Sequence, residues 1–473
     1  MMKRLLLIAT ASLALTGCVN LAPEHVRPEL ATALAYDAEY APDGTVTASQ
    51  MSYRDWFADP RLKAMLTSAL ANNRDLVAAT ARIEQARAQY RIQRSDSLPA
   101  VVASSGATRT RQAQSTSVGA ANGPYTYDRF DIGVGVTGFE LEFWGRVANL
   151  SESARAQYLS TVAAQRAFYL SLIADTANTY FAILESEEQI ALAEATAQSR
   201  REGLRIAQLR LDAGVTSALP FRQAETLLTQ AEQQLASERL VAARLRNRLA
   251  VLVGGTMPVD LPDGLSLTQQ VDGRRLDAGL PSDLLLARPD IVAAEEQLRA
   301  ARADIGAARA AFFPSISLTG SAGFASGSLD GLFSGDALGW SFGPSINLPI
   351  FDFGARDANL DFARAREVEE VANYDLAVQT AFREVADALA GRRYLAEQVA
   401  TLERAVSSQQ QIARVAQLRY REGVADYLEV LDAERNLFEA RQTLIATRRA
   451  ELQNRTTLFV ALGGGFESGD GES

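Results

Sequence analysis

The segments RLDAGVTSALPFRQAE (210–225) and RYREGVADYLEVLDAE (419–434) decide the fold of this chain. In each segment a helix-forming stretch is interrupted by a Gly-Val pair, at Gly214-Val215 and at Gly423-Val424. Glycine supplies the unrestricted backbone that a tight reversal between two helices needs. The sequence therefore predicts two helical hairpins whose tips lie at these glycines.

Long proline-free tracts surround both tips. There is no proline between Pro124 and Pro220 or after Pro349, and helix-forming residues dominate both tracts, which is typical of long helices. The stretch 146–212 alone has 67 residues and would form a helix on the order of 100 Å long. Apolar residues seven apart follow the second tip, at Leu431, Phe438, Ile445, Leu452 and Phe459. This heptad pattern predicts helices that pack along their length as coiled coils.

Four other segments alternate apolar with polar or small residues, which predicts β-strands. The strands lie near 99–111, where the pattern is weak, at 130–143, where the phase slips at Thr137-Gly138, and at 315–324 and 340–350. Strands of about ten residues suit the wall of an outer-membrane barrel with an apolar outside and a polar lumen. A soluble, half-buried sheet gives the same alternation. In a barrel, three acidic residues on the polar side are expected to face the lumen: Asp131, Glu140 and Glu142.

An internal repeat covers nearly the whole chain. RDLVAAT from Arg74 aligns with RPDIVAAE from Arg288, Pro99 with Pro314, and one tip with the other. Each half therefore contains a helix, two strands and a long helical hairpin. Four strands cannot close a barrel, and open sheet edges cannot lie in lipid. A barrel thus requires an oligomer, and a dimer or a trimer would both supply an even number of strands.

The N-terminus carries an export signal. Residues 1–18 read MMKRLLLIATASLALTGC, with a short basic start and an apolar run too short to span a bilayer. The ending LTGC fits the bacterial lipobox, which predicts that Cys18 is lipidated after 1–17 are removed. The alternative is an ordinary signal peptide with a chance cysteine. Cys18 is the sole cysteine, so an intrachain disulfide is excluded.

Composition excludes several classes of function. Asp and Glu number 57 against 47 Lys and Arg, for a formal net charge of -10, which argues against binding to nucleic acid. The one histidine, His25, lies in a proline-rich start and is predicted to be a linker residue. Catalytic triads and histidine metal sites therefore have almost no residues to draw on. We expect no catalytic residues, no metal site and no cofactor.

Longer motifs resemble a known family. RPDIVAAEEQLRAARADIGAARAAFFPSISLTG from Arg288 and LPIFDFGARDANL from Leu348 resemble signature segments of the TolC-like outer-membrane factors. LAPEHVRP after the lipobox and DWFADPRL from Asp55 are similar to the lipoprotein branch that includes OprM and NodT. The resemblance extends from Cys18 to about Leu462. It implies a mixed fold, all-α plus membrane β-barrel: a trimer whose twelve-stranded barrel continues into a long α-helical periplasmic tunnel with an equatorial α/β region.

The resemblance also implies a function. Such a protein is the exit duct of a tripartite efflux pump in the outer membrane, and it works as a homotrimer with a periplasmic adaptor and an inner-membrane pump of the RND type. No enzyme activity or cofactor comes with the family. Ducts for type I protein secretion or metal export share the architecture and remain alternatives. A trimeric adhesin lipoprotein is a further alternative, although it would not need two similar hairpins.

By the same resemblance, the tips lie at the periplasmic end of the duct and close it. Matching motif positions place the constriction on Leu428, Asp432 and Arg435. Leu428 and Asp432 are four residues apart and therefore lie on one helical face, so three copies would give an apolar plug and an acidic ring. Alternatively, Asp432 is a solvated surface residue and Leu428 a coiled-coil position. The first hairpin, expected to be an outer support or docking element, differs from the second at Ala218 and Pro220, where the second has Tyr427 and Glu429.

These expectations divide the chain into consecutive segments. The predicted boundaries are a signal peptide (1–17), a lipidated arm with equatorial residues (18–61), a helix (62–97), the first β-hairpin (98–144), the first helical hairpin (145–253), an equatorial connection (254–280), a second helix (281–313), the second β-hairpin (314–352), the second helical hairpin (353–462) and a tail (463–473).

Overall fold

The computed structural model describes residues 19–29, 32–33, 35–37, 46–112, 125–270, 276–277 and 288–466. Cys18 and the signal peptide lie outside the described residues. Within them the α-helices are α1 (Tyr53–Trp56), α2 (Pro60–Asn72), α3 (Arg74–Ser95), α4 (Arg146–Asp212), α5 (Ala218–Leu252), α6 (Pro289–Ala310), α7 (Ala355–Arg421) and α8 (Tyr427–Ala461). The strands are β1 (Val101–Gln112), β2 (Tyr125–Glu140), β3 (Ser315–Ser326) and β4 (Leu338–Asn347).

The two halves of the chain repeat these elements with matching lengths. Helices α3 and α6 have 22 residues each, α4 and α7 have 67 each, and α5 and α8 have 35 each. The bounds of α4 are those of the stretch 146–212 that the proline-free tract indicates. Among the described residues, no helix has both the length and the apolar character needed to cross a membrane.

The segment 62–97, predicted as one helix, contains two. Helix α2 ends at Asn72 and α3 begins at Arg74. Between them, the Asn73 side chain accepts a hydrogen bond from the backbone N–H of Leu76 at 2.9 Å and donates one to the carbonyl of Leu252 at 3.0 Å. Asparagine is a favoured helix N-cap because its side chain satisfies a free backbone N–H of the first turn. The second half has no such break within α6, which begins at a proline.

The first compact unit, Met1–Pro28, Arg82–Val162 and Ala293–Tyr374, contains one antiparallel sheet in the order β1-β2-β3-β4. Paired residues point to the same face, so the register sorts side chains into two sets. The polar face carries serine pairs, with Oγ–Oγ distances of 2.8 Å for both Ser317–Ser345 and Ser321–Ser341. The opposite face is apolar and exposed in the single chain, as at Ile132, Val134, Trp340, Phe342 and Ile346.

A β-bulge interrupts strand β2. The register against β3 shifts between Val136 and Phe139. Between them, Gly138 has a φ of 65° and donates its N–H to the Thr319 hydroxyl at 3.1 Å. The phase slip in the sequence pattern therefore corresponds to a bulge, which brings the following apolar side chains back to the apolar face.

The three acidic residues expected to face a lumen have different surroundings. Asp131 lies on the polar face with the Arg129 guanidinium 3.3 Å from its carboxylate. Glu140 is the last residue of β2 and accepts a hydrogen bond from Arg146 at 2.9 Å. Glu142 lies beyond the strand, which is shorter than the pattern to residue 143 indicates, and its carboxylate accepts the backbone N–H groups of Val147 and Ala148. Glu142 therefore caps α4, and a lumen-facing role stays a prediction for Asp131, Glu140 and Glu142.

Residues 19–28 lie along helix α6 in the same unit. Two arginines of α6 donate to carbonyls of this arm, Arg309 to Leu21 at 2.8 Å and Arg302 to Val26 at 2.6 Å. The His25 imidazole lies between Glu295 and Arg302, 3.3 Å from each. Burial, with Arg299 and Arg302, lowers the pKa of His25 although Glu295 opposes the shift. His25 is thus a packed residue, contrary to the expectation of a linker.

The second compact unit comprises Glu29–Ala81, Ala163–Val292 and Asp375–Ser473, and it holds both hairpin tips. Ion pairs join the two helices of the first hairpin at seven-residue steps: Glu187–Arg246 at 2.8 Å, Glu194–Arg239 at 2.8 Å and Arg201–Glu232 at 2.9 Å. In the second hairpin, Arg448 pairs with Glu403 at 2.8 Å, the position equivalent to Arg239 and Glu194. The spacing is the heptad step expected for antiparallel helices packed along their length.

A buried carboxylate connects three segments of this unit. The Asp59 side chain is fully buried. It accepts hydrogen bonds from the backbone of Arg61 and Leu62 at 2.8 and 3.2 Å, the Tyr180 hydroxyl at 2.8 Å, the backbone of Leu265 at 2.9 Å and the Gln270 amide at 2.6 Å. A buried charge is tolerated when donors saturate it in this way. Asp59 therefore caps α2 while holding α4 and the segment after α5.

We expect Asp59→Ala to lower the free energy of unfolding by roughly 3 kcal/mol, because it leaves several buried donors without an acceptor. Tyr180→Phe removes one donor and should cost about 1 kcal/mol. Denaturant unfolding followed by the helical circular dichroism signal measures both. Equal effects of the two substitutions would show that Asp59 does not organise the network.

Candidate functional site

Both hairpin tips have the same backbone geometry. In the first, Val215 N–H donates to the Arg210 carbonyl at 3.0 Å and Gly214 N–H to that of Leu211 at 2.9 Å. The second repeats both bonds, from Val424 to Arg419 at 3.0 Å and from Gly423 to Tyr420 at 3.1 Å. This is the Schellman motif, and the glycines have φ values of 70° and 75°, where a side chain would be strained. The turns thus lie at the glycines that the sequence indicates.

An aromatic cluster joins the two tips. The rings of Tyr420 and Tyr427 have centroids 5.1 Å apart. Arg210, from the first hairpin, places its guanidinium carbon 4.9 Å from the centre of the Tyr420 ring. Such a cation–π contact contributes about 0.5–1 kcal/mol at an exposed site. A Cβ atom at Gly203 of α4 would lie 2.9 Å from the Tyr427 hydroxyl, so glycine there permits close approach of the second hairpin.

Arg210 is available for this contact because the first hairpin lacks the acidic residue that pairs with the equivalent arginine in the second. In the second hairpin, Arg419 pairs with Glu429 across the turn at 2.9 Å. The equivalent of Glu429 in the first hairpin is Pro220, which carries no charge. Arg210, the equivalent of Arg419, therefore interacts with the neighbouring hairpin instead of its own.

Polar groups between the hairpins have shifted pKa values. Arg200 of α4 is buried, donates to the Leu227 carbonyl at 2.8 Å and lies 5.8 Å from the Phe438 ring. Burial lowers its pKa, and Glu434 opposes the shift. Burial, reinforced by Glu434 and Tyr420, raises the pKa of Tyr427 to about 12. The Tyr427 phenol therefore stays neutral at physiological pH and packs as an aromatic residue.

Helix α8 presents two distinct faces near its start. Val430 and Ala433 are buried against small side chains of α7. On the other side, Leu428 is 57% exposed, and Asp432 and Arg435 are exposed as well. Arg435 donates to the Asp432 carboxylate at 3.1 Å. An exposed pair of this kind contributes about 0–1 kcal/mol, so both side chains can exchange this contact for another. The structure brings the three residues singled out from the sequence onto one exposed stripe.

The residues that connect the hairpins are not among those predicted from the sequence. Arg200, Arg210 and Tyr420 have no predicted role, and Tyr427 is noted above only as a difference between the tips. A signal was present in the repeat, because Tyr420 and Tyr427 replace Leu211 and Ala218 of the first half. Two aromatic residues in one copy of a repeat indicate an asymmetric packing contact.

Comparison with known proteins identifies the family of the chain. The family model for outer membrane efflux proteins matches residues 65–255 and 280–464, one span in each half. The chain belongs to this family. This efflux protein is 42% identical over 463 residues to the solvent efflux pump outer membrane protein SrpC of Pseudomonas putida, covering 96% of this chain and 97% of that protein. It is 38% identical over 462 residues to the cation efflux system protein CusC of Escherichia coli O6:H1, covering 96% and 97%.

Solved structures extend the comparison to the fold. The open-state MtrE outer membrane channel of Neisseria gonorrhoeae superposes with a TM-score of 0.85 at 36% identity, over 94% of this chain and 98% of that one. The efflux protein therefore has the fold of the outer-membrane channels, with strands and long helices. It is an efflux channel protein of the outer membrane, which confirms the family and function that the sequence motifs imply.

We expect Tyr420→Ala to loosen both tips, because it removes the ring that contacts Arg210 and Tyr427. These contacts contribute roughly 1–2 kcal/mol to the local stability of the tips. Their loss should make amide exchange at 210–218 and 419–427 about tenfold faster, measured by hydrogen–deuterium exchange mass spectrometry. Tyr420→Phe keeps the ring and should leave the exchange unchanged. Equal acceleration in both variants would contradict the role of the ring.

Proposed function

We propose that the protein is the exit duct of a tripartite efflux pump and acts as a homotrimer. Three copies contribute twelve strands to a barrel through the outer membrane, and six helical hairpins form a periplasmic tunnel that closes at the tips. The observation that carries this proposal is the four-stranded sheet. Among the described residues it has a polar face, an exposed apolar face and two free edges.

The sheet edges support the trimer. Within the described residues, β1 pairs only with β2 and β4 only with β3. In lipid, each unpaired backbone N–H or C=O group costs several kcal/mol, so both edges need partners. A ring of copies in which β4 of one pairs with β1 of the next satisfies every strand. A ring of three gives twelve strands, an even number as in bacterial barrels.

The exposed stripe on α8 supports a gate at the tips. In a trimer, three Leu428 side chains would meet as an apolar seal, and three Asp432 carboxylates would form a ring that binds cations. Arg435 would hold these carboxylates at rest, either in its own helix or in a neighbouring copy. Because exposed ion pairs are weak, such a gate can be opened by a partner that binds the tips.

The partners follow from the architecture. A passive duct needs an energy source at the inner membrane, and we propose an RND-type pump and a periplasmic adaptor. The tip of the first hairpin, with Val215 and Leu219 exposed, suits docking of the adaptor. The relatives are named for solvent, toluene, antibiotic and cation efflux, so one duct fold serves chemically different cargo. We therefore assign selection of small molecules to the pump.

The gate is tested by conductance in planar bilayers. Asp432→Ala should weaken block by divalent cations, because the carboxylate ring is lost. Leu428→Ala combined with Arg435→Ala should raise the resting conductance and sensitise cells to large antibiotics. In the bilayer, where no adaptor is present, Leu219→Ala is the matched control for conductance, since Leu219 occupies the equivalent position in the first hairpin and is similarly exposed.

Two results would contradict the proposal. If the Asp432 variant and the Leu428–Arg435 double variant form trimers by native mass spectrometry but conduct and bind cations like the wild type, the gate is not at these residues. A monodisperse monomer with full strand content after gentle detergent extraction would rule out the shared barrel.

Lipidation at Cys18 is a separate prediction. Cys18→Ser should abolish the added mass of the acyl chains, measured by mass spectrometry of the mature protein. The variant should remain in the membrane fraction, because the strands hold the protein there independently. A diacylated Cys18→Ser protein would show that the lipid is attached elsewhere.

A further inference from the structure

Two exposed apolar patches lie at the same end of the sheet. The first-edge patch precedes and begins β1, with exposed fractions of 69% for Leu98, 69% for Val101 and 61% for Val102. The fourth-edge patch follows β4, with 89% for Ile350, 76% for Phe351 and 90% for Phe353. Because the strands are antiparallel, the start of β1 and the end of β4 are at one end of the sheet.

These patches belong to opposite edges. Strands β2 and β3 lie between β1 and β4, and three strand spacings amount to roughly 14 Å. The two patches therefore cannot cover each other within one flat or gently twisted sheet. No described residue covers either patch, which leaves both open to an occupant such as a second copy of the chain.

The internal repeat indicates what that occupant is. At the middle of the sheet, where β2 ends and β3 begins, Trp144 stacks on Phe313 with ring centroids 4.6 Å apart. Its indole N–H donates to the Pro314 carbonyl at 2.8 Å. In the repeat, Phe353 is equivalent to Trp144, and Leu98 is equivalent to Phe313, since Pro99 aligns with Pro314. The residues equivalent to the two partners of this contact, Phe353 and Leu98, are therefore both exposed, one at each edge of the sheet.

A backbone hydrogen bond near this contact shows the same correspondence between the middle of the sheet and its edges. Leu141 N–H, just beyond β2, donates to the Ile316 carbonyl of β3 at 2.8 Å. The equivalent residues are Ile350, beyond β4, and Val101, in β1. A lipid chain offers no partner for such a backbone bond, whereas a second copy of β1 does.

Strain at Phe353 gives a second, independent observation. Its φ is 56°, the one positive value at a non-glycine residue among the described residues. A backbone of this kind persists only where surrounding contacts hold it. In the single chain the Phe353 ring contacts Phe351 at a centroid distance of 4.5 Å, and both rings remain largely exposed. Contacts from another molecule would account for the conformation.

We infer that the fourth-edge patch of one copy packs on the first-edge patch of the next, with the Phe353 ring against Leu98 of the neighbouring copy. This contact covers the sheet at the boundary between two copies, as the contact of Trp144 with Phe313 does between β2 and β3 within one chain. The inference rests on the proposed trimer and adds the residues that join its copies.

Cysteine crosslinking tests the contact. Leu98→Cys combined with Phe353→Cys should yield covalent dimers and trimers on a denaturing gel after treatment of membranes with a short bis-maleimide. The matched control is Phe313→Cys with Trp144→Cys, which should crosslink within one chain and migrate as a monomer. Each single cysteine variant measures the background, including any from Cys18.

The outcomes separate this inference from the proposed function. A trimer by native mass spectrometry without crosslinks between chains, while the control pair reacts, would overturn the contact and leave the trimer intact. Absence of a trimer would overturn both.

Phe353→Gly distinguishes packing from strain. Glycine relieves the positive φ but removes the ring. If the ring joins two copies, the trimer should dissociate at lower denaturant concentration than the wild type, whereas Phe353→Trp and the exposed-loop control Leu329→Ala should behave like the wild type. A Phe353→Gly trimer as stable as the wild type would contradict the inference.

Discussion

Backbone hydrogen bonding at the two edges of the sheet is the constraint on which the rest of this structure depends. Four antiparallel strands satisfy one another inside the sheet, but within the part of the chain that the structure describes β1 and β4 each have one unpaired edge, and lipid cannot supply partners. The chain therefore specifies an incomplete wall, with an apolar side for lipid and a serine- and glycine-rich side facing away from it. Pairing of these edges with identical copies, as proposed above, would satisfy this requirement.

The hairpins combine strong internal packing with weak surface contacts at their tips. Small side chains of α7 bury Val430 and Ala433, which fixes the direction of the exposed stripe on α8. The first hairpin holds its own register through several cross-helix ion pairs. At the tips, Arg210 of the first hairpin places its guanidinium over the Tyr420 ring of the second, and Gly203 permits close approach of Tyr427 to α4. The exposed contacts contribute only about 0–1 kcal/mol each, which is compatible with the gate proposed at the tips.

Much of the fold could be predicted from the sequence, because its signals are local. The lack of proline and the glycine that follows the helix indicated the bounds of α4. The alternation of apolar and polar residues indicated β2 together with its bulge. The break at Asn73 was missed because asparagine caps a helix only when its side chain finds the right partners, here one from a distant segment. The capping role of Glu142 was missed because alternation continues past the strand. Arg210 and Tyr420 are far apart in sequence, so no pattern within either segment could reveal their contact.

The equal lengths of the two hairpins limit which insertions and deletions the chain can tolerate. Each long helix has 67 residues, each returning helix has 35, and the connections 213–217 and 422–426 are equally long. One inserted residue in a single arm would shift its tip by about 1.5 Å and rotate it by about 100°. This would separate Arg210 from Tyr420 and would misalign the acidic and basic residues that pair between α4 and α5. We therefore expect an insertion or deletion in one arm to be tolerated only with a matching change in the arm packed against it, whereas single substitutions leave these lengths unchanged.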